Sequence, residues 1–132
     1  MIADLAKQQH GVVARRQLLD LGMSRHAIDG RLARGSLHQF HLGVYVVGAR
    51  RISRRGRWMA AVLACGPGAV LSHRAAGCLW GVLPPGFDRP EVTVPSGRRA
   101  RRLGIVCHEA DIAADEVTEI DGIPVTSIFR TL

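Results

Sequence analysis

Lysine is nearly absent from this sequence of 132 residues, because Lys7 is the only lysine among its 18 basic residues. A restriction-type nuclease needs two acidic metal ligands and a lysine on adjacent strand positions, since the carboxylates hold Mg²⁺ and the lysine polarises the scissile phosphate. Lys7 falls in a predicted first helix, away from any predicted strand. The sequence therefore excludes a nuclease of this kind.

Cysteine is also scarce, with three residues, Cys65, Cys78 and Cys107, that lie far apart in sequence. Without a C-x-x-C pair they indicate neither a disulfide framework nor a thiolate zinc site, and we expect them to be buried small apolar side chains in a reducing compartment. Long apolar runs are missing too, because no segment approaches the roughly 18 residues of a membrane span and the N-terminus carries no signal-peptide region. These absences predict a cytoplasmic protein without a membrane partner.

What the chain has in excess is positive charge, with a net charge of +7 and a pI of about 10.9. Such a balance is typical of proteins that bind phosphate-rich partners. The preference for arginine, together with many alanines and glycines, also arises in GC-rich genomes, so charge alone leaves both explanations open. The hydrophobic fraction of 47% is sufficient for the core of one domain or of two small ones.

The order of elements in residues 1–50 is the most informative pattern. Apolar spacing and turn residues predict a helix around Ile2, Leu5 and Ala6, a helix over Arg15–Leu21, a helix from Ser24 to Gly35, and strands at Leu37–Phe40 and Val44–Val47 hinged at Gly43. Helix, helix, turn, helix and β-ribbon is the order of a winged helix-turn-helix, which places one helix in a DNA major groove. We therefore predict that residues 1–50 form a DNA-binding domain.

The third helix is the candidate DNA reader. At about 100° per residue, Ile28 and Leu32 share one stripe and are predicted to face the core. Ser24 is the predicted N-cap, and arginines beside the outward face are placed to reach phosphates or a guanine edge. A solvated helix face with ordinary charges is the competing interpretation. The predicted DNA-binding residues are Ser24, Arg25, His26, Arg31 and Arg34 on this helix, His38 and His41 on the ribbon, and Arg50 and Arg51 after it.

Two pairs of residues that contain histidine have the residue types of a metal site or of a nucleophile and its base. His38 and His41 are three residues apart, so on a regular strand they point to opposite faces and are not expected to hold one metal ion. Ser72 and His73 are the residue types of a nucleophile and base, but neighbours on a helix point apart and no third group orients the histidine. We predict no catalytic residue, no metal ligand and no cofactor, and hence no enzyme.

Residues 51–132 are predicted to form a second α+β region with short antiparallel strands. A helix over Ser53–Ala64 follows a cluster of arginines, and Ser72 is the predicted cap of a helix over His73–Trp80. A basic loop over residues 96–102 offers a phosphate contact, a docking site for an acidic surface of a protein partner, or a mobile solvated surface. The final Ser127–Leu132 helix is very short, so we expect a truncated C-terminus. The predicted strands are Glu91–Val94, Ile105–His108, Val117–Ile120 and Ile123–Thr126, the last two joined by an Asp121-Gly122 turn.

Several short blocks of the sequence form an ordered set of motifs. The blocks are Gly11-Val12-Val13, Gln17-Leu18-Leu19, Gly22-Met23-Ser24-Arg25, residues 43–48, residues 56–63, residues 71–76, Leu79-Trp80-Gly81 and residues 121–126. The blocks up to residue 48 resemble the N-terminal domain of AbiEi-type antitoxins of type IV toxin-antitoxin systems. The later blocks look like the region that, in actinobacterial-type relatives, precedes a nuclease-like domain similar to very-short-patch repair endonucleases.

The resemblance implies a winged-helix regulator that binds double-stranded DNA at its own promoter and represses a toxin operon. It also implies a nucleotidyltransferase-like toxin as partner, which the second half would neutralise. Compared with the long relatives, this chain would lack the C-terminal nuclease-like domain. A homodimer would read two half-sites. Three positions depart from the pattern: Ala14 replaces a Ser or Thr cap, Leu42 replaces a basic residue at the wing, and Gly30 interrupts the reader helix.

Because a nuclease is excluded, two classes of function remain open. The first is a DNA-binding transcriptional regulator of antitoxin type. The second is a non-catalytic remnant of a nuclease-fused protein, acting as a protein or nucleic-acid interaction module. The salt dependence of DNA binding discriminates between them, because each neutralised phosphate adds to the slope of log K against log salt.

Overall fold

The computed structural model describes residues 1–48, 51–86, 89–98 and 101–132. The chain divides into two compact units, Met1–Ala64 and Cys65–Leu132. Both contain helices and strands, so the predicted α+β class is confirmed. The predicted domain boundary after residue 50 stays a prediction. None of the helices in the described residues has the length and apolar character that crossing a bilayer requires.

The first unit consists of four helices and a three-stranded antiparallel sheet of order β1-β3-β2. Its helices match the predicted ones to within one or two residues, whereas the sequence did not predict β1 as a strand. The elements are α1 (Ile2–Gln8), β1 (Val12–Ala14), α2 (Arg15–Asp20), α3 (Arg25–Arg34), β2 (Leu37–His41), β3 (Val44–Val47) and α4 (Arg54–Ala64).

Apolar side chains cover the small sheet on both faces. On one face Val13 and Tyr45, paired across β1 and β3, join a buried cluster with side chains from α1, α2 and α3. Because side chains alternate along a strand, Val12, Val44 and Val46 point to the other face, and they are buried as well. Helix α4 packs against all three strands. The core of this unit therefore fixes α3 on one side of the sheet.

The second unit is built on a five-stranded sheet of order β6-β5-β4-β8-β7. The predicted short antiparallel strands are confirmed for β7–β8, but β5–β6 and β4–β8 pair in parallel, so the sheet is mixed. Parallel strands that pair with each other come from segments that are distant in the sequence, so no local sequence pattern indicates their pairing. The elements are β4 (Val70–Leu71), α5 (His73–Leu79), β5 (Glu91–Val94), β6 (Val106–Glu109), a 3₁₀ turn (Ala114–Glu116), β7 (Val117–Ile120), β8 (Ile123–Thr126) and α6 (Ile128–Thr131).

Of two local sequence signals in this unit, the predicted hairpin turn is confirmed and the predicted helix cap is wrong. Asp121 and Gly122 join β7 to β8 with φ values of 50° and 78°, the left-handed pair of a tight hairpin, as predicted. Ser72 stands at the N-cap position of α5, but the prediction that its hydroxyl caps the helix is wrong. The hydroxyl accepts a hydrogen bond from the Thr93 hydroxyl at 2.7 Å instead, because both side chains are buried between α5 and β5.

The cysteines depart from the sequence expectation in both burial and spacing. Cys65 is buried, whereas Cys78 and Cys107 are half-buried, so only one of the three behaves as a core residue. The sulfur atoms of Cys65 and Cys107 lie 3.5 Å apart, although 42 positions separate them in sequence. Burial and the contact with Cys107 raise the pKa of Cys65 from 9.0 to about 12.

Cys65 is therefore expected to be the least reactive thiol near neutral pH. Its raised pKa lowers the thiolate fraction at pH 8 about 1000-fold, and the thiolate is the nucleophile. With iodoacetamide at pH 8, peptide mass spectrometry should find Cys78 modified long before Cys65. The Cys65 rate should rise about tenfold per pH unit up to pH 11. Labelling in urea is the control, and equal rates for Cys65 and Cys78 in the folded chain would contradict the prediction.

Candidate nucleic-acid interface

Helix α3 begins and ends at the residues that the sequence predicts. The Ser24 hydroxyl accepts a hydrogen bond from the Ala27 N–H at 3.0 Å, which satisfies one of the unpaired donors of the first turn. Gly35 ends the helix with φ at 81°, a left-handed conformation that glycine adopts without a steric penalty. Strong signals at both ends explain why this helix is predictable.

The inward face of α3 is anchored as predicted. Ile28 is fully buried in the core cluster of the first unit, and Leu32 packs against the same cluster. Two side chains at i and i+4 fix the rotation of a helix about its own axis. The residues on the remaining sides of α3 are consequently held toward solvent.

The outward face of α3 carries positive charge. Arg25, His26 and Arg34 are exposed, and Arg31 is half-buried. Within the described parts of the chain, none of these four side chains makes a hydrogen bond or an ion pair. The guanidinium groups are thus accessible to an external partner. His26 and Arg34 lie opposite the buried stripe, and Arg25 and Arg31 lie on its flanks. We call Arg25, His26, Arg31 and Arg34 the α3 basic face.

Asp29 is the one acidic residue of α3, and it is paired within the first unit. Its carboxylate accepts a hydrogen bond from Arg15 at 3.1 Å. The same guanidinium donates to the hydroxyl of Tyr45 at 3.1 Å, and these two contacts raise the pKa of Arg15. The negative charge of Asp29 is therefore countered by a neighbouring arginine, which sequence reasoning did not anticipate because Arg15 lies in α2.

Gly30 is a candidate for stabilising α3. A Cβ at this position would meet only the end of the flexible Arg34 side chain, at 3.1 Å from Nη1. We expect Gly30→Ala to raise the free energy of unfolding by about 1 kcal/mol, the usual difference between the two residues inside a helix. Urea unfolding followed by circular dichroism measures the change. Gly35→Ala is the matched control and should destabilise, because its φ of 81° strains any other residue.

The ribbon of β2 and β3 carries the two predicted histidine contacts. His38 and His41 are both half-buried on β2, and the His41 ring packs edge-on against Phe40 with ring centroids 4.9 Å apart. The pairing of β2 with β3 shifts between Gln39 and His41, which marks a bulge. Leu42 at the tip is 77% exposed, so the end of the ribbon is apolar rather than basic.

The remaining predicted contacts follow the ribbon. Arg51 is exposed, and Arg50 lies outside the described residues. At the start of α4, Arg54 and Arg57 are exposed as well. Gly56 between them lets the helix approach the first β-strand, because a Cβ there would lie 3.0 Å from the carbonyl oxygen of His10. The arginines around it therefore belong to a segment that is packed firmly onto the unit.

The two units differ sharply in charge. Met1–Ala64 contains eleven lysine and arginine residues and three acidic residues, a net charge of +8, whereas Cys65–Leu132 contains seven and eight, a net charge of −1. The basic excess of the chain thus belongs entirely to the unit that carries the α3 basic face. The sequence holds this signal, but it becomes visible only when charge is counted unit by unit.

The basic loop of residues 96–102 is less informative. Arg98 donates a hydrogen bond to the carbonyl oxygen of Pro67, and Arg101 and Arg102 are exposed. Arg99 and Ala100 lie outside the described residues. A phosphate contact, a docking site for an acidic protein surface and a solvated loop all stay predictions for this segment.

Comparison with protein-family models and with curated proteins finds no match for this chain.

Proposed function

We propose that the protein binds double-stranded DNA through α3 and acts as a transcriptional regulator. The observation that carries the proposal is the α3 basic face on a helix anchored by Ile28. Its three arginines and one histidine have no side-chain partner among the described residues. The net charge of +8 on the same unit adds a long-range electrostatic attraction to a polyanion such as DNA.

The arrangement of elements around α3 supports a winged helix-turn-helix as the DNA-binding module. Helices α2 and α3 follow each other through a short turn at Gly22, and the β2–β3 ribbon comes directly after α3. Strand β1 lies beside β3, which ties the ribbon to the helical part. In that module the helix equivalent to α3 enters the major groove and the ribbon contacts the neighbouring backbone.

The side chains of the α3 basic face can bind both the bases and the phosphates of a DNA site. An arginine reads guanine through two parallel hydrogen bonds to O6 and N7, and it also binds phosphate oxygens. Ala33 and Gly30 are small, so the helix backbone can approach the groove floor closely. We therefore assign Arg25, Arg31 and Arg34 to base or phosphate contacts, and Arg51 to the flanking phosphates.

The regulatory part of the proposal is repression of its own operon as an antitoxin, with a nucleotidyltransferase-like toxin as partner and a homodimer on two half-sites. This part rests on the resemblance of the sequence blocks to AbiEi-type antitoxins. It assigns the protein a binding role without a catalytic step. The near-neutral second unit is then the candidate surface for the protein partner.

A mobility-shift titration tests the proposal. The full chain is titrated onto the duplex upstream of its own gene and onto an unrelated duplex of equal length, at several salt concentrations. If Arg25, Arg31, Arg34 and Arg51 each neutralise one phosphate, log K falls against log salt with a slope of about −3.6. A regulator should prefer its own upstream duplex by about 1000-fold.

Two outcomes would overturn the proposal. If no mobility shift is observed, or if log K does not change with log salt, the protein would instead be an interaction module that binds another protein. A steep slope with equal affinity for both duplexes would reduce the function to non-specific binding of polyanions.

A further inference from the structure

Three potential ligand side chains meet at one end of α5 in the second unit. His73 is the first residue of α5, Glu91 is the first residue of β5, and His108 lies on β6. The parallel pairing of β5 and β6 sets Thr93 opposite His108, so Glu91 and His108 are diagonal neighbours on one face of the sheet. The ligand atoms of the three residues all lie within 4.8 Å of one another.

The spacing of these atoms suits a bound divalent cation. Zn–N and Zn–O bonds of about 2.0–2.1 Å in a tetrahedron place two ligand atoms about 3.3 Å apart. The Nε2 atom of His108 and the Oε2 atom of Glu91 lie 3.2 Å apart, so two ligands already stand at that separation. The rings of His73 and His108 have centroids 4.1 Å apart, which sets the third ligand beside the other two.

The surroundings orient the carboxylate of Glu91 and leave the His73 ring available, whereas His108 and Glu91 bond each other. The second oxygen of Glu91 accepts a hydrogen bond from the Arg74 N–H at 3.2 Å, which fixes the carboxylate in the way outer partners orient metal ligands. Among the described residues, the His73 ring makes no hydrogen bond. Its backbone has φ at 52°, a conformation that is uncommon for a non-glycine residue and that clusters at functional sites.

Space for a further ligand lies beside the histidines. His73 and His108 line a cavity of about 260 Å³ that also includes Thr126, Arg130 and Thr131. A structural zinc site is closed by four protein ligands, whereas a site with three protein ligands keeps a position for water or a substrate. The cavity provides that position here, so this cluster fits the second kind of site.

The donor set selects the class of cation. Two imidazole nitrogens and one carboxylate suit Zn²⁺ and its first-row neighbours, whereas Mg²⁺ and Ca²⁺ prefer sets made of oxygen only. We infer that His73, Glu91 and His108 form a divalent transition-metal site with one position open to the cavity. The sequence indicated no metal site because gaps of 17 and 16 residues separate the three ligands. The β5–β6 pairing brings His108 to Glu91, and the β4–β5 pairing brings the start of α5 to the same residue.

The test is titration of the full chain with Zn²⁺, in competition with a chromophoric chelator. We expect one Zn²⁺ per chain. His73→Ala, Glu91→Gln and His108→Ala should each weaken binding by at least about 10-fold, since even the loss of an outer-shell partner costs 10- to 100-fold. His26→Ala and Glu119→Gln remove the same residue types elsewhere and should bind Zn²⁺ like the unaltered chain. Mg²⁺ should not displace the zinc.

A second measurement on the unaltered chain does not depend on how the variants fold. Co²⁺ bound in the inferred four-coordinate geometry gives intense visible absorption, whereas Co²⁺ held by scattered surface groups stays six-coordinate and nearly colourless. Intense absorption that saturates at one Co²⁺ per chain, and that one equivalent of Zn²⁺ removes, supports the site. Weak absorption, no stoichiometric Zn²⁺, or affinities of the three cluster variants within about twofold of the unaltered chain would overturn it.

Discussion

Replacing Arg25 and Arg31 together by alanine is expected to lower the affinity for the upstream duplex about 100-fold or more. Each charged hydrogen bond contributes roughly 1.5–3 kcal/mol, and 1.4 kcal/mol corresponds to a factor of ten. The salt slope should become shallower by about 1.8, because two phosphate contacts are lost. Both side chains lack internal partners in the described structure, so the variant should unfold at nearly the same temperature as the unaltered chain.

The matched control is Arg74→Ala with Arg89→Ala. These two exposed arginines belong to the second unit, and their removal changes the net charge by the same amount. If the control lowers affinity as much as the α3 variant, attraction depends on total charge and α3 is not the reader. If neither variant has an effect, the α3 basic face does not contact DNA.

Removal of the buried anchor of α3 should have the largest effect on stability. Ile28 is fully buried beside Leu18, Leu37 and Tyr45, so Ile28→Ala deletes three carbon atoms from a packed core. We expect the free energy of unfolding to fall by about 2–5 kcal/mol, measured by urea unfolding followed by circular dichroism.

A surface position provides the comparison for Ile28. Leu42→Ala at the ribbon tip removes a side chain that is 77% exposed, and it should change stability by no more than about 0.5 kcal/mol. Equal effects of the two substitutions would show that Ile28 does not anchor α3. The assignment of the outward face would then lose its geometric basis.

Most of the first unit could be predicted because its signals are local. Ser24, Gly35 and the spacing of Ile28 and Leu32 specify α3 within a dozen residues. Strand β1 escaped prediction because it has three residues, all buried, and therefore lacks the alternation of a half-exposed strand.

The features that sequence reasoning missed depend on distant pairing. Strands β5 and β6 are separated by eleven residues, and their parallel alignment brings His108 to Glu91. Cys65, which follows α4, likewise approaches Cys107 on β6 from a distant part of the sequence. Neither approach leaves a trace in residue spacing, because the sheet rather than the local chain sets the distance.

The guanidinium of Arg15, which bonds both Asp29 and Tyr45, links α3 to the central strand of its sheet. An incoming duplex would therefore encounter a helix backbone that is already held in place, and the conformational entropy lost on association would be mainly that of the arginine side chains. Complex formation would then proceed by lock-and-key docking, with a rate governed by electrostatic steering rather than by a slow rearrangement of the polypeptide.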